Sequence, residues 1–93
     1  MITLKKNGQK VWVTFTMPAA DHINDIVISG DWNDWKEEPM KQKKNGDFSI
    51  TKVLKAGESY QFGYKVNGDH WVTEEECDSV SSPYGSQNSL LSL

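Results

Sequence analysis

Hydrophobic and polar residues alternate along much of this chain with a period of two. Residues 10–17 show it best, because one face of the segment carries Val11, Val13, Phe15 and Met17. The other face carries Trp12, Thr14 and Thr16. This alternation predicts a half-buried β-strand, which Pro18 and the residues after it end.

Further segments predict strands in the same way. They are residues 25–29, 48–54 and 60–66, and a final strand around Leu90, Leu91 and Leu93. Asn-Gly pairs at 7–8, 45–46 and 67–68 lie between strand-like segments, and this dipeptide favours hairpin turns. No window supports an amphipathic helix. The pattern therefore predicts an all-β fold, an immunoglobulin-like antiparallel β-sandwich.

One segment departs from the regular alternation. Residues 73–87 are first acidic and then serine-rich, with Pro83 and Gly85, and we expect a long ordered loop or an extended crossing segment there. The chain has 93 residues and shows no internal repeat or linker, so we expect one domain over residues 1–93. A domain of this size has little room for a deep cavity, which favours a function carried on its surface.

Charge and cysteine content exclude several classes of function. The net charge is −3 and all ten cationic side chains are lysines, so no nucleic-acid partner is expected. Cys77 is the only cysteine, which rules out an intrachain disulfide and a cysteine-rich zinc site. No segment resembles a signal peptide or a membrane span. We expect a cytoplasmic protein, or an excised domain of a larger one, with no membrane partner.

Catalytic and metal sites are poorly supported. Asp31, Asn33 and Asp34 have some resemblance to a calcium loop, but turn capping explains them better. The acidic run of residues 74–78 is expected to be a solvated loop rather than a chelator. His70 near Cys77 lacks a third orienting group. We therefore expect no enzyme activity, no metal and no cofactor.

The four tryptophans are the chemically informative residues. Trp32 is expected to pack in the core, and Trp12 is equally consistent with core and surface. Trp35 and Trp71 follow turns and have polar and charged neighbours, which favours exposure. An exposed indole offers a flat face that packs against the C–H groups of a pyranose ring.

Several motifs together are similar to a known family. Residues 27–35 (Val-Ile-Ser-Gly-Asp-Trp-Asn-Asp-Trp) with Pro39-Met40, residues 66–71 (Val-Asn-Gly-Asp-His-Trp) and residues 84–88 (Tyr-Gly-Ser-Gln-Asn) resemble family 48 carbohydrate-binding modules. These are the glycogen-binding domains of AMP-activated protein kinase β subunits, also found at the N-termini of branching and debranching enzymes. The resemblance covers residues 11–93.

This resemblance implies roles for individual residues. Trp35 and Trp71 would be the two stacking platforms, and Asn88 would bind sugar hydroxyls. Tyr84 falls where kinase-type domains carry a leucine that inserts into the glucan ring. The family's binding lysine is replaced by Gly63, and Lys65 lies two residues further on the same strand face. Gln61 on that face is a weaker candidate.

The resemblance implies non-catalytic binding of an α-glucan such as glycogen, starch or a malto-oligosaccharide. A second interpretation is a protein-interaction or regulatory module of a glycogen-associated complex. Its partner would be a kinase subunit or a glycogen-metabolising enzyme. A third interpretation is an accessory domain of a branching or debranching enzyme.

Overall fold

The chain folds into two antiparallel β-sheets. A computed structural model describes residues 1–82 and 85–93, and this part of the chain contains ten β-strands. They are β1 (Ile2–Asn7), β2 (Lys10–Met17), β3 (Ile26–Gly30), β4 (Glu38–Pro39), β5 (Lys41–Gln42), β6 (Phe48–Lys55), β7 (Ser59–Val66), β8 (His70–Val72), β9 (Asp78–Ser81) and β10 (Gln87–Ser92). The prediction of an all-β antiparallel sandwich is confirmed.

The first sheet has four strands in the order β1-β2-β6-β5. Its centre is the long pairing of β2 with β6, in register from Lys10 opposite Lys55 to Met17 opposite Phe48. Because the side chains of a strand alternate between two faces and Val11 and Val13 are buried, Trp12 and Thr14 share the outer face of this sheet.

The second sheet has six strands, in the order β4-β3-β7-β10-β9, with β8 also paired to β7. One edge of β7 pairs with β3. Its other edge pairs first with β10, up to Phe62, and then with β8, from Tyr64 onwards. The partner therefore changes at Gly63, which lies between the two pairings.

The core lies between the sheets and follows the alternation seen in the sequence. Its fully buried large side chains are Phe15, Phe62, Tyr64, Ile26 and Ile28. The rings of Phe15 and Phe62 have centroids 5.1 Å apart, and the Phe62 and Tyr64 rings meet edge to face at 5.7 Å. Such aromatic pairs add to the free energy gained from burial alone.

The Asn67-Gly68 turn shows why this dipeptide is favoured between strands. Both residues have positive φ, 54° and 82°, a region that asparagine and glycine tolerate better than other residues. The Asn67 side chain also accepts hydrogen bonds from the backbone N–H groups of Asn24 and Asp25 and donates one to the His22 carbonyl. The turn thus fixes the loop that precedes β3.

Residues 73–87 differ from the prediction in two respects. Asp78–Ser81 form β9, which pairs with β10, so the segment is not wholly a loop. Glu74 is buried rather than solvated, with 4% of its surface exposed. Its carboxylate accepts hydrogen bonds from the Tyr64 hydroxyl and the amino group of Met1. These partners supply the polar contacts that a buried carboxylate requires, and a sequence pattern does not show them.

The interior position of Tyr64 affects its ionisation. Burial and the adjacent charge of Glu74 both raise the pKa of the Tyr64 hydroxyl, so it stays protonated and donates to the carboxylate. Within residues 1–82 and 85–93, no helix is long and apolar enough to cross a membrane.

A candidate carbohydrate-binding groove

The turn after β3 projects Trp35 from the sheet. A single 3-10 turn covers Asp31–Asn33, and Asp34 and Trp35 follow with positive φ values of 59° and 64°. A left-handed backbone is unfavourable for a residue as bulky as tryptophan. The backbone N–H of Trp35 donates to the Gly30 carbonyl at 3.0 Å, which closes the turn and holds the indole in place.

Asp31 connects this turn to the second sheet. One carboxylate oxygen accepts a hydrogen bond from the indole N–H of Trp35 at 2.9 Å. The other oxygen accepts one from the backbone N–H of Gln61 on β7 at 2.8 Å. The single side chain therefore orients Trp35 and fixes its distance from the sheet. The sequence favoured turn capping: Asn33 does donate to the Lys36 carbonyl in this turn, but Asp31 bonds an indole and a neighbouring strand instead.

Trp71 lies directly on the backbone of Gly63. A Cβ atom added at Gly63 would come within 2.1 Å of the Trp71 ring, so no larger residue fits there without displacing the indole. The indole N–H donates to the Gln87 carbonyl at 2.8 Å, just where β10 begins. The glycine at the family's lysine position thus makes room for the tryptophan.

The two indoles face one groove on the outer side of the six-stranded sheet. Their ring centroids are 6.3 Å apart and their planes are inclined at 41°. The groove has a volume of about 590 Å³ and is lined by Asp31, Trp35, Gln61, Trp71, Ser82, Ser86 and Asn88. This size is within the range of small-ligand sites.

Polar side chains form the rest of the groove surface. The amide of Asn88, 8% exposed, donates a hydrogen bond of 3.2 Å to the Gln61 side-chain oxygen. Each carboxamide has donor and acceptor capacity beyond this bond. Ser82 and Ser86 add hydroxyl groups, linked to each other at 3.3 Å. The groove therefore combines flat apolar faces with neutral hydrogen-bonding groups.

The structure brings three of the five predicted site residues together: Trp35, Trp71 and Asn88 line the same groove. Lys65 is opposite Trp71 in the β7–β8 pairing but does not line the groove, and its ammonium pairs with the Glu37 carboxylate. Tyr84 lies outside the described residues. Gln61, the weaker candidate, does line the groove.

Two contributions to the groove were not predicted. Asp31 and the two serines were not named as site residues, although Asp31 stands inside the tryptophan motif. A sequence shows that an aspartate can accept a hydrogen bond in a turn, but not that its partner is 30 residues away. That partner is set by the pairing of β3 with β7.

Other reactive groups lie away from this groove. Burial, with the charges of Glu74 and Glu76, raises the pKa of the Cys77 thiol to about 11, which leaves a poor nucleophile at neutral pH. Within the described residues, no group of three or more histidine, cysteine or acidic side chains is placed to hold a metal ion.

Fold and groove together define a class of protein. Inclined tryptophans bordered by amides and hydroxyls on a β-sandwich are typical of a carbohydrate-binding module. The family model for the glycogen recognition site of AMP-activated protein kinase matches residues 1–93. The chain belongs to this family, and the prediction of a glycogen-binding module is confirmed.

A curated relative supports the same assignment. The chain is 30% identical over 69 residues to the SNF1-related protein kinase regulatory subunit beta-2 of Arabidopsis thaliana. The match covers 74% of this chain but 23% of that relative, so the chain spans about a quarter of the relative's length.

Proposed function

We propose that the groove between Trp35 and Trp71 holds one strand of an α-glucan, glycogen or a malto-oligosaccharide, without a chemical step. The observation that carries this proposal is the 41° inclination of the two indoles, which border one groove instead of lying in one plane. An α-1,4-linked glucan coils, so its successive rings turn relative to one another and follow a concave surface. A flat β-1,4 chain would contact one indole at a time.

The expected affinity follows from the areas involved. Covering on the order of 100 Å² of one indole gains roughly 2–3 kcal/mol, which is less than the cost of immobilising a sugar chain. Two indoles with hydrogen bonds from Asn88 and Gln61 to sugar hydroxyls reach micromolar to millimolar dissociation constants. We assign the hydroxyl contacts to these two amides.

Two residues carried over from the family stay in the proposal with smaller roles. Tyr84, by the resemblance to the family, would stack or pack against the sugar chain. Lys65 would act at the margin, because its ammonium already pairs with Glu37. A sugar that recruits Lys65 has to compete with this pair.

The absence of a chemical step is part of the proposal. Glycoside hydrolysis needs two carboxyl groups on either side of the scissile bond. Among the described groove residues, Asp31 is the one carboxylate, and both its oxygens already accept hydrogen bonds. Residues 1–93 would act as one binding domain in the cytoplasm, where no cofactor is required.

A fluorescence titration tests the proposal. Maltoheptaose or β-cyclodextrin should give a saturable change in tryptophan emission, and cellopentaose should give none. The double variant Trp35→Ala, Trp71→Ala should bind at least tenfold more weakly than the wild type. His70→Ala, an exposed neighbour of Trp71 that does not line the groove, is the matched control. An unchanged dissociation constant in the double variant, or no response in the wild type at millimolar sugar, would overturn the proposal.

The relative's name supports a second role for the same domain. That protein is a kinase regulatory subunit, and we propose that this chain brings a kinase subunit or a glycogen-metabolising enzyme to glycogen. Co-sedimentation with glycogen checks this: the partner should pellet only with the chain, and not with the double variant. Partner binding that soluble glycogen displaces would instead favour a protein-interaction module whose interface overlaps the groove.

A further inference from the structure

The outer face of the four-stranded sheet carries a second cleft that is built around a tryptophan. It has a volume of about 400 Å³ and is lined by Thr3, Lys5, Asn7, Trp12, Thr14 and Thr51. Trp12 is half-buried, as an indole is when one of its faces packs on a sheet. This cleft is on the opposite side of the sandwich from the groove of Trp35 and Trp71.

Strand register explains why these side chains meet. Lys5 is opposite Trp12 and Thr3 is opposite Thr14 in the β1–β2 pairing, and Thr14 is opposite Thr51 in the β2–β6 pairing. Opposed residues share one face, so Trp12 lies between Lys5 on β1 and Val53 on β6. Thr14 and Thr51 lie two residues further along β2 and β6. The hydroxyls of Thr14 and Thr51 are hydrogen-bonded at 2.9 Å, which fixes their orientation.

The chemistry of the cleft suits a ligand rich in hydroxyl groups. In the part of the chain that the structure describes, its lining contains no carboxylate, so nothing there favours a cation. Asparagine and threonine side chains can donate and accept, as sugar hydroxyls can, and the lysine ammonium donates. The six lining residues are one tryptophan and five polar side chains, which suits a sugar ring better than the apolar anchor of a protein partner.

We propose that the Trp12 cleft is a second α-glucan contact, distinct from the groove between Trp35 and Trp71. This inference rests on the proposed function, because it assigns the same polymer to both faces. The two sites face away from each other, so each would hold a separate segment of glucan. With one indole instead of two, the cleft binds more weakly than the groove. A branched polymer offers many segments, and two such sites raise the overall avidity.

Nuclear magnetic resonance separates the two sites in the 93-residue chain. Maltoheptaose should shift the indole N–H resonance of Trp12 and the amide resonances of Lys5 and Thr51. In the variant Trp35→Ala, Trp71→Ala these shifts should persist and saturate in the millimolar range, while the groove resonances no longer respond. Unchanged Trp12, Lys5 and Thr51 resonances in the wild type and in this variant would overturn the inference.

Substitutions in the Trp12 cleft test the same inference through binding affinity. Trp12→Ala in the groove-deficient background should weaken the remaining binding about tenfold or more. Thr14→Val, which keeps shape and strand preference, should weaken it about threefold, while Thr16→Val, on the same face of β2 but outside the cleft, should have no effect. If Trp12→Ala does not fold, the two valine variants decide. Equal binding in Thr14→Val and Thr16→Val contradicts the inference.

The two proposals fail in different ways. Groove resonances that respond while Trp12 does not would remove the second site and leave the proposed function intact. Equal shifts at Trp12 with cellopentaose and with maltoheptaose would contradict its assignment to α-glucan. No shift at either site would remove both proposals.

Discussion

Two tryptophans in this chain each lie on a glycine, yet on opposite faces of the same sheet. A Cβ atom at Gly30 would come within 2.6 Å of the Trp32 ring, and one at Gly63 within 2.1 Å of the Trp71 ring. Gly30 is opposite the core residue Phe62 in the register, so it faces inwards, whereas Gly63, one residue further along β7, faces outwards.

The consequence for each indole is different. Trp32 packs against Phe15 and Phe62, with ring centroids 5.5 and 5.9 Å away. Trp71 meets Trp35 across the groove. The same local arrangement, an indole packed on a glycine backbone, therefore completes the core on one face and forms a binding surface on the other. The sequence placed Trp32 in the core and Trp71 at the surface, but it did not show that each indole lies on a glycine.

The largest expected effect is a loss of stability on removal of the core tryptophan, Trp32. Trp32→Ala should lower the free energy of unfolding by about 3 kcal/mol, because it leaves a cavity against two aromatic rings. Glucan affinity of the folded fraction should stay within about twofold of wild type. Urea denaturation and a titration at low temperature measure the two quantities. A large loss of affinity in well-folded protein would place Trp32 in the site.

The second-largest effect is expected on glucan binding, when Trp71 is removed from the groove. Trp71→Ala should weaken glucan binding by about thirtyfold, equivalent to about 2 kcal/mol of lost contact with one sugar ring. Stability should fall less than in Trp32→Ala, because Trp71 lies on the outer face of the sheet whereas Trp32 packs against the core. Calorimetric titration and urea denaturation check both. Loss of stability with unchanged affinity would contradict the division of roles between the two tryptophans.

Replacing each glycine by alanine tests the different roles of Trp32 and Trp71 while keeping both indole rings. Gly30→Ala should cost about 1–3 kcal/mol of stability, because the added methyl group overpacks the core. Gly63→Ala should displace the Trp71 indole and weaken glucan binding about tenfold, with a smaller loss of stability. Thermal melts and titrations of the two variants, compared side by side, provide the readout. A larger loss of stability in Gly63→Ala, or a larger loss of affinity in Gly30→Ala, would contradict the assignment of Trp32 to the core and Trp71 to the groove.

A smaller effect is expected at the connection that orients Trp35. Asp31→Ala removes the acceptor for the indole N–H and should weaken binding about fivefold, consistent with roughly 1 kcal/mol for one hydrogen bond. Asp31→Asn keeps one acceptor oxygen and should lose less. The fluorescence anisotropy of Trp35, in a variant with phenylalanine at the other three tryptophans, should fall in Asp31→Ala if the indole gains mobility.

The smallest effect is expected at Lys65. An exposed pair such as Lys65–Glu37 contributes less than about 1 kcal/mol. Lys65→Ala should therefore change glucan affinity by less than about twofold, and Glu37→Gln, which frees the ammonium, should leave it equal or slightly higher. A tenfold loss in Lys65→Ala would make this lysine a direct sugar contact after all.

Much of this fold is predictable from local patterns. Alternation at residues 10–17 and 60–66 gave strands and the correct inward faces, because one face of each strand meets the core and the other meets solvent. β9 was missed because Asp78–Ser81 is short and polar and is a strand only through its pairing with β10. Glu74 was assigned to solvent because its partners, the buried Tyr64 hydroxyl and the amino group of Met1, are ten and 73 residues away in the sequence.

The sequence by itself determined the long strands, the Asn-Gly turns and the family, because alternation, Asn-Gly pairs and the tryptophan motif are all local. Only the tertiary structure decided that Trp32 packs on Gly30 in the core and Trp71 on Gly63 in the groove. Whether an indole lies in the core or in a groove depends on which face of the sheet its glycine faces, and strand register sets that face. At the position where the family has a lysine this chain has Gly63, and in the folded chain the Trp71 indole packs on it.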